Sequence, residues 1–274
     1  MIRRLIGCGL LWVLLIAEAV SAAPLIVAHR GASKDAPENT IPAFKLAWDQ
    51  GADAVEGDFL LTADGEIVCI HDKDTKRVAE RNLMIKSALL KELLSLDVGL
   101  WRGERWTGTK IPMLSEVLGT IPNNKQIYIE IKCGSEIIPN LLEVLKKSGL
   151  CNEQIVVISF NTKVIYDIKT LAPNMKAVWL SRLKISKSGD LEPSIEEALT
   201  TLERIGADGI SCSGHERLDE KYISRIQKEG YEFHVWTIDN SNDAIRFAGI
   251  GVQSITTNKP LEIREALMTK KVYE

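Results

Sequence analysis

Apolar, β-branched runs recur along the chain, and segments of helical spacing lie between them. Nine runs read as strands: "LIVAHR" from Leu25, "ADAVEGDF" from Ala52, "EIVCIH" from Glu66, "QIYIEIK" from Gln126, "QIVVISF" from Gln154, "KAVWLS" from Lys176, "ADGISCS" from Ala207, "EFHVWTI" from Glu232 and "VQSITT" from Val252. The helical runs are "TIPAFKLAWDQG", "EIIPNLLEVLKKSG", "PSIEEALTTLERIG", "LDEKYISRIQKEG" and "SNDAIRFAGIG". They end at glycine, as helix C-termini often do. Strands alternating with helices predict parallel βα units.

Nine strands is one too many for a (β/α)8 barrel. "ADAVEGDF" and "EIVCIH" are joined only by "LLTADG". A parallel crossover needs about a dozen residues or more. A short link carrying Asp64-Gly65 makes a hairpin instead. "EIVCIH" is therefore read as an arm rising from the mouth, and the other eight runs as the barrel. The stretch from Asp72 to about Lys110 is rich in Lys, Arg, Glu and Trp and has no barrel slot. The expected fold is a (β/α)8 TIM barrel over residues 24–274, with a small insertion after the second strand at about 60–112.

The first residues follow a different pattern. Arg3 and Arg4 precede the apolar "LIGCGLLWVLLIA", and "AVSAAP" offers small residues for cleavage after Ala22 or Ala23. Residues 1–23 read as a secretory signal peptide, which implies a periplasmic or secreted protein. A retained membrane anchor is the alternative, and the short apolar run speaks against it. No stable membrane span is expected after cleavage.

Composition changes this picture little. The chain has 274 residues, 45% hydrophobic and 26% charged, with a formal net charge of -3. Neither the charge nor any Lys/Arg stripe suggests nucleic acid as a partner. Cys69, Cys133, Cys151 and Cys212 remain after signal removal and show no CxxC spacing, so no zinc or redox motif is expected.

Catalytic groups in such barrels gather at the carboxyl ends of the strands. The first strand ends at His29-Arg30, the second carries Glu56 and Asp58, the next barrel strand carries Glu130 and Lys132, and the arm ends at His71-Asp72. Residues two apart in a strand face the same way. Glu56 and Asp58 can therefore share one target with Glu130. Carboxylates crowded into a barrel top repel unless a cation lies between them. An all-oxygen donor set suits Ca²⁺ or Mg²⁺. The alternative is a cluster neutralised by Arg30 and Lys132 alone. If a metal is bound, those two cations make sense as holders of an anion such as a phosphate. His29 and His71 come from different elements of one mouth and can divide acid and base roles around a phosphodiester. A structural role for both is the bland alternative. His234 alternates with Phe233 and Val235 and reads as structural.

"HRGASKDAPENT", "EGDFLLTADGEIVCIHD" and "IEIK", with "ISF" at Ile158–Phe160 and "VWTI" at Val235–Ile238, resemble the glycerophosphodiester phosphodiesterase family. The resemblance runs in order along nearly all the mature chain. It implies a (β/α)8 barrel with a small insertion and metal-dependent hydrolysis of glycerophosphodiesters. Carried over by motif, His29 and His71 would be the acid–base pair. Glu56, Asp58 and Glu130 would hold one divalent metal ion, Arg30 and Lys132 the phosphate, and Trp236 would line the glycerol pocket. The partner implied is a small-molecule glycerophosphodiester. Ala63, Asp239 and Asn258 depart from the family's usual Lys, Asn and Asp at those places. Two other readings stay open: a lysophospholipid-directed phosphodiesterase, with Trp101 and Trp106 on an acyl chain, and a phosphoester-binding protein without turnover.

Overall fold

The computed structural model describes residues 23–273. The export segment read at residues 1–23 thus lies outside the described residues, Ala23 excepted.

Eight parallel strands close on themselves. β1 (Leu25–His29) pairs with β2 (Ala54–Leu61) on one side and with β11 (Ser254–Thr257) on the other. Between them the circuit runs from β2 through β4 (Gln126–Ile131), β5 (Ile155–Ser159), β6 (Lys176–Ser181), β9 (Gly209–Ser213) and β10 (Glu232–Trp236) to β11. This is the expected (β/α)8 barrel. The ninth strand-like run forms β3 (Ile67–Cys69), which pairs antiparallel with β2, with Cys69 opposite Phe59. The six-residue link made a hairpin because it is too short to cross a barrel. One further hairpin, β7 (Lys184–Ile185) with β8 (Leu191–Glu192), was not visible in the sequence pattern. Two residues per strand show no alternation.

Alternation along each barrel strand divides its side chains into two sets. Val55 and Phe59 of β2 and Ile127, Ile129 and Ile131 of β4 point outward into the core under the helices. Ala54, Tyr128, Val156, Ile158, Val178 and Leu180 point inward and fill the barrel. His234 also faces inward, where its Nδ1 lies 2.8 Å from Ser254 Oγ and its Nε2 3.2 Å from Glu232. The same inward parity carries His29, Glu56, Asp58 and Glu130 toward the carboxyl end.

The helices α1 (Ile41–Asp49), α4 (Ile138–Ser148), α6 (Ile195–Ile205), α7 (Glu220–Lys228) and α8 (Ser241–Ile250) coincide with the five helical runs. α7 shows why they form. Asp219 caps it by accepting from Tyr222 N at 2.9 Å, and Tyr222, Ile223 and Ile226 bury one face. Burial of each such side chain is worth about 1.5–3 kcal/mol. α5 (Thr162–Leu171) and α9 (Pro260–Tyr273) complete the outer ring, beyond the helical runs read from the pattern.

Between β3 and β4 lie α2 (Leu90–Leu94), α3 (Leu114–Leu118) and several short 3-10 turns. Val78, Ile85, Leu93, Leu96 and Ile111 form a separate small core there with Val68 and Ile70 of the arm. This second core holds the arm, and with it His71, over the barrel mouth. Among the described residues no helix is long and apolar enough to cross a membrane. The four cysteines beyond the export segment are free thiols.

Candidate active site

The mouth is built by a tight turn after β1. Arg30 and Gly31 both adopt left-handed backbone, at φ 57° and 78°. A Cβ on Gly31 would lie 2.6 Å from the Ala43 carbonyl carbon, so only glycine fits against α1. A left-handed arginine is strained, and strain of this kind persists where the surroundings impose it. Here it turns the Arg30 N–H inward, where it donates to Glu56 Oε2 at 2.9 Å. The "PENT" run then does two things. Thr40 caps α1 and donates its hydroxyl to Pro37 O at 2.6 Å. Asn39, also left-handed at φ 58°, donates from Nδ2 to Asp58 Oδ2 at 2.8 Å and accepts from Asp58 N at 3.1 Å.

Glu56, Asp58 and Glu130 converge. Each offers an oxygen within 4.8 Å of the others, and all three are buried, with exposures of 2%, 0% and 8%. Asp58 and Glu130 stand opposite each other across the β2–β4 register. Arg30 Nε lies 3.1 Å from Asp58 Oδ2, and Lys132 Nζ lies 2.8 Å from Glu130 Oε1 and 3.4 Å from Asp58 Oδ1. The cations therefore do reach the carboxylates. They do not satisfy them. Glu56 Oε1 and Asp58 Oδ1 are buried with no hydrogen-bond partner.

The electrostatics agree. Burial, then the charges of Asp58 and Glu130, pushes the Glu56 carboxyl well above its ordinary value. Burial and Asp58 push Glu130 up to about 7, against the pull of Lys132. Burial opposes ionisation of Asp58 too, but Arg30 and Lys132 prevail and hold it below the usual range. Three buried carboxylates, two of whose oxygens lack a hydrogen bond, fit a hard divalent cation, which prefers oxygen ligands.

Both histidines line the same cavity as the cluster. His29 Nε2 lies 4.0 Å from Glu56 Oε2, and its Nδ1 lies 2.8 Å from Asn258 Oδ1. Burial and then the Arg30 charge hold its imidazolium form down. His71 Nδ1 lies 2.7 Å from Asp72 Oδ1. Asp72 is gripped by Arg77 Nε at 2.7 Å, Arg77 also grips Glu38 at 2.8 Å, and Glu38 accepts from Arg30 at 2.9 Å. One chain of ion pairs thus ties the arm's histidine to the arginine that follows β1.

A cavity of about 170 Å³ opens among these groups. His29, Arg30, Glu56, His71, Glu130, Lys132 and Trp236 line it, and the fully buried Asp58 lies beneath. All eight residues singled out from the sequence are therefore brought to one place. Trp236 donates Nε1 to Ser211 O at 2.9 Å and meets Phe160 edge-on at 5.4 Å. Ile158, Phe160 and Leu180 add apolar side chains to the lining. Trp101 and Trp106 are not in the lining. Sequence reasoning missed Glu38, Asn39, Asp72, Arg77 and Arg182 around this cavity. Glu38 and Asn39 lay inside the "PENT" run, which was the available signal.

Comparison with known proteins points one way. The model of the glycerophosphoryl diester phosphodiesterase family matches residues 29–262. A glycerophosphodiester phosphodiesterase of Caldanaerobacter subterraneus is 32% identical over 243 residues, covering 86% of this chain and 94% of that one. A glycerophosphodiester phosphodiesterase of Bacillus subtilis is 29% identical, covering 86% and 84%. Among solved structures, an Oleispira antarctica phosphodiesterase in complex with the product sn-glycerol-3-phosphate superposes with a TM-score of 0.80 at 27% identity, covering 90% of this chain and 97% of that one.

Proposed function

Because the chain belongs to the glycerophosphoryl diester phosphodiesterase family and is a glycerophosphodiester phosphodiesterase, we propose that it releases sn-glycerol 3-phosphate and an alcohol by metal-assisted acid–base catalysis. The observation that carries this reading is the meeting of two imidazoles, three carboxylates and two cations at one cavity.

Glu56, Asp58 and Glu130 would hold one Ca²⁺ or Mg²⁺. When bound, the ion supplies charge neutralisation to the phosphoryl oxygens and acidifies a hydroxyl or water. Arg30 and Lys132 face the same space and take up the charge that develops on the phosphoryl group. The attacking oxygen is that of water or of the substrate's own glycerol 2-hydroxyl. His29, held neutral by burial beside Arg30, accepts its proton at Nε2. A bond then forms from that oxygen to phosphorus, and the bond from phosphorus to the leaving alcohol oxygen breaks. Attack by water gives the glycerol phosphate directly, whereas attack by the 2-hydroxyl gives a cyclic phosphate whose new P–O bond water must then break. His71 donates the proton that the leaving oxygen needs, and Asp72 gives the protonated ring its ion-pair partner. Trp236 and Phe160 supply an apolar edge for the glycerol carbons.

Neither Trp101 nor Trp106 lines the cavity, so the lysophospholipid reading draws less support than the glycerophosphodiester one. The test is hydrolysis of glycerophosphocholine beside lysophosphatidylcholine, with products identified enzymatically. Release of sn-glycerol 3-phosphate from the first, at a kcat/KM above that for the second, is the expected result. Release of phosphocholine from glycerophosphocholine would refute the proposed bond cleavage.

The export segment leads to a separate expectation. Leu25 opens β1, so cleavage after Ala22 or Ala23 leaves every barrel strand whole. N-terminal sequencing of the periplasmic or secreted protein should read Ala23 or Pro24 first. An intact Met1 on membrane-bound protein would identify an anchor instead.

A further inference from the structure

We propose that Asp239 and Asn258 form a positioning pair that holds the His29 ring with its proton on Nδ1 and its Nε2 lone pair turned to the cavity. The inference rests on the reading of His29 as the proton acceptor of the phosphodiesterase reaction. Neither residue lines the cavity, so both act through His29.

The assignment follows from counting donors and acceptors. Asp239 lies just beyond β10, and Asn258 just beyond β11. Asp239 Oδ1 accepts from Thr257 Oγ1 at 2.9 Å and from the Asn258 backbone N–H at 2.8 Å. Its Oδ2 lies 2.6 Å from the Asn258 side chain. An ionised carboxylate can only accept. The Asn258 atom facing it must therefore be the amide nitrogen, which removes the usual ambiguity between the two ends of an amide. The other end, Oδ1, lies 2.8 Å from His29 Nδ1, and Ser33 Oγ donates to the same oxygen at 2.8 Å. A carbonyl oxygen cannot donate, so His29 Nδ1 must carry the hydrogen. In a neutral imidazole that leaves the lone pair on Nε2. Nε2 is the nitrogen that lies 4.0 Å from Glu56 Oε2, on the cavity side. Every step is forced once Asp239 is ionised, so the tautomer is set two residues away from the ring.

The same count says which substitutions should fail and which should rescue. In Asp239→Asn, an amide replaces a carboxylate that accepts three hydrogen bonds, and its NH₂ either faces the Asn258 NH₂ or turns the Asn258 oxygen toward itself and the Asn258 NH₂ onto His29 Nδ1. In Asn258→Asp, two carboxylate oxygens face each other at the present 2.6 Å contact. In the double variant D239N/N258D, the new amide's oxygen at position 239 keeps Thr257 and the backbone N–H. Its NH₂ donates to the new carboxylate at position 258, whose second oxygen accepts from His29 Nδ1. All partners are satisfied again.

The experiment therefore uses the two single variants, Asn258→Leu and the double exchange, each assayed on glycerophosphocholine. The single variants and Asn258→Leu should lose about 10²-fold in kcat with little change in KM, the scale of a misplaced catalytic group. The double exchange should return to within about threefold of wild type, because the two sites are coupled. A second readout does not depend on turnover. The chain has 4 histidines, so ¹⁵N ring spectra are simple, and His29 is identified by its loss in His29→Ala. Wild type should show the Nδ1–H tautomer for His29, and Asn258→Leu a mixture with the Nε2–H form. An Nε2–H ring in wild type overturns the proposal, and so do single variants with wild-type kcat or a double exchange that stays as slow as the singles. A wild-type protein without phosphodiesterase activity would defeat the functional reading, while the ring spectra still decide the tautomer.

Discussion

Chelation with EDTA is expected to abolish hydrolysis, and Ca²⁺ or Mg²⁺ to restore it. Glu56→Gln should lower activity by on the order of 10²-fold or more, given what a bound cation contributes to a phosphoryl-transfer barrier. The substitution is nearly isosteric, but it exchanges one acceptor oxygen for an amide nitrogen that can only donate. Glu56 is the informative position because its Oε1 has no hydrogen-bond partner, while Glu130 already has Lys132. Chelation should also change stability, with a sign that follows from the carboxyl shifts. Glu130 is pushed up to about 7 from an ordinary 4.5, and Glu56 is raised as well. The folded protein then binds protons more tightly than the unfolded chain at these sites. For Glu130 this stabilisation is complete below pH 4.5 and is lost as pH rises through about 7, and Glu56 contributes with the same sign. Asp58 is shifted the other way, from 3.8 downward, so its contribution changes only in more acid solution. The melting temperature of chelated protein should therefore fall as pH is raised from about 5 to about 8, and added cation should recover more stability at the upper end. Full activity in excess chelator would sink the metal assignment. A chelated protein whose melting temperature is flat across that range would count against the buried cluster as its cause.

The parts of this site that could be read from sequence are those that broke a pattern. Glu56, Asp58, Glu130 and Lys132 are charged residues inside β-branched strands, where burial without partners is costly. His29 and His71 end apolar runs for the same reason. Period-two alternation then placed Glu56 with Asp58, and the register of β2 on β4 placed Glu130 beside them. The eight barrel strands were legible because each is a short apolar run, and the arm was set apart by chain length alone. α5 was not, because its Thr162, Val164 and Ile165 are β-branched and no glycine closes it. The supporting residues were hidden for a different reason. Asp72, Arg77, Asp239 and Asn258 sit in loops, where polar residues are ordinary, and the His29–Asn258 contact joins positions 229 apart. Asp239 and Asn258 stood out only as departures from the related family's usual residues. The structure shows those two residues in direct contact, carboxylate to amide, a pairing that neither position reveals alone.

His29→Ala and His71→Ala should each lower kcat on glycerophosphocholine by roughly 10²–10⁴-fold, the range for a single general base or acid. Neither ring fills the barrel. His29 Nδ1 bonds a loop residue, and His71 projects from the arm over the cavity, so both variants should keep the wild-type fold and melting behaviour. Their difference is the more telling result. A general acid matters most when the departing oxygen is basic. Bis(p-nitrophenyl) phosphate releases a phenolate that needs little protonation, whereas choline departs as an alkoxide unless a proton arrives. With His71 beside Asp72 as the acid, His71→Ala should retain far more of its activity on the nitrophenyl ester than on glycerophosphocholine. His29→Ala should be impaired on both wherever water attacks, because deprotonation of the nucleophile is needed for either ester. The nitrophenyl ester has no glycerol 2-hydroxyl. If His29→Ala is slow on glycerophosphocholine and normal on this ester, His29 serves the glycerol hydroxyl alone, and attack through that hydroxyl becomes the route for natural substrates. The reverse pattern, with His29→Ala rescued by the good leaving group and His71→Ala not, would exchange the two roles. Near wild-type rates for both variants on glycerophosphocholine would make the histidines structural and end this mechanism.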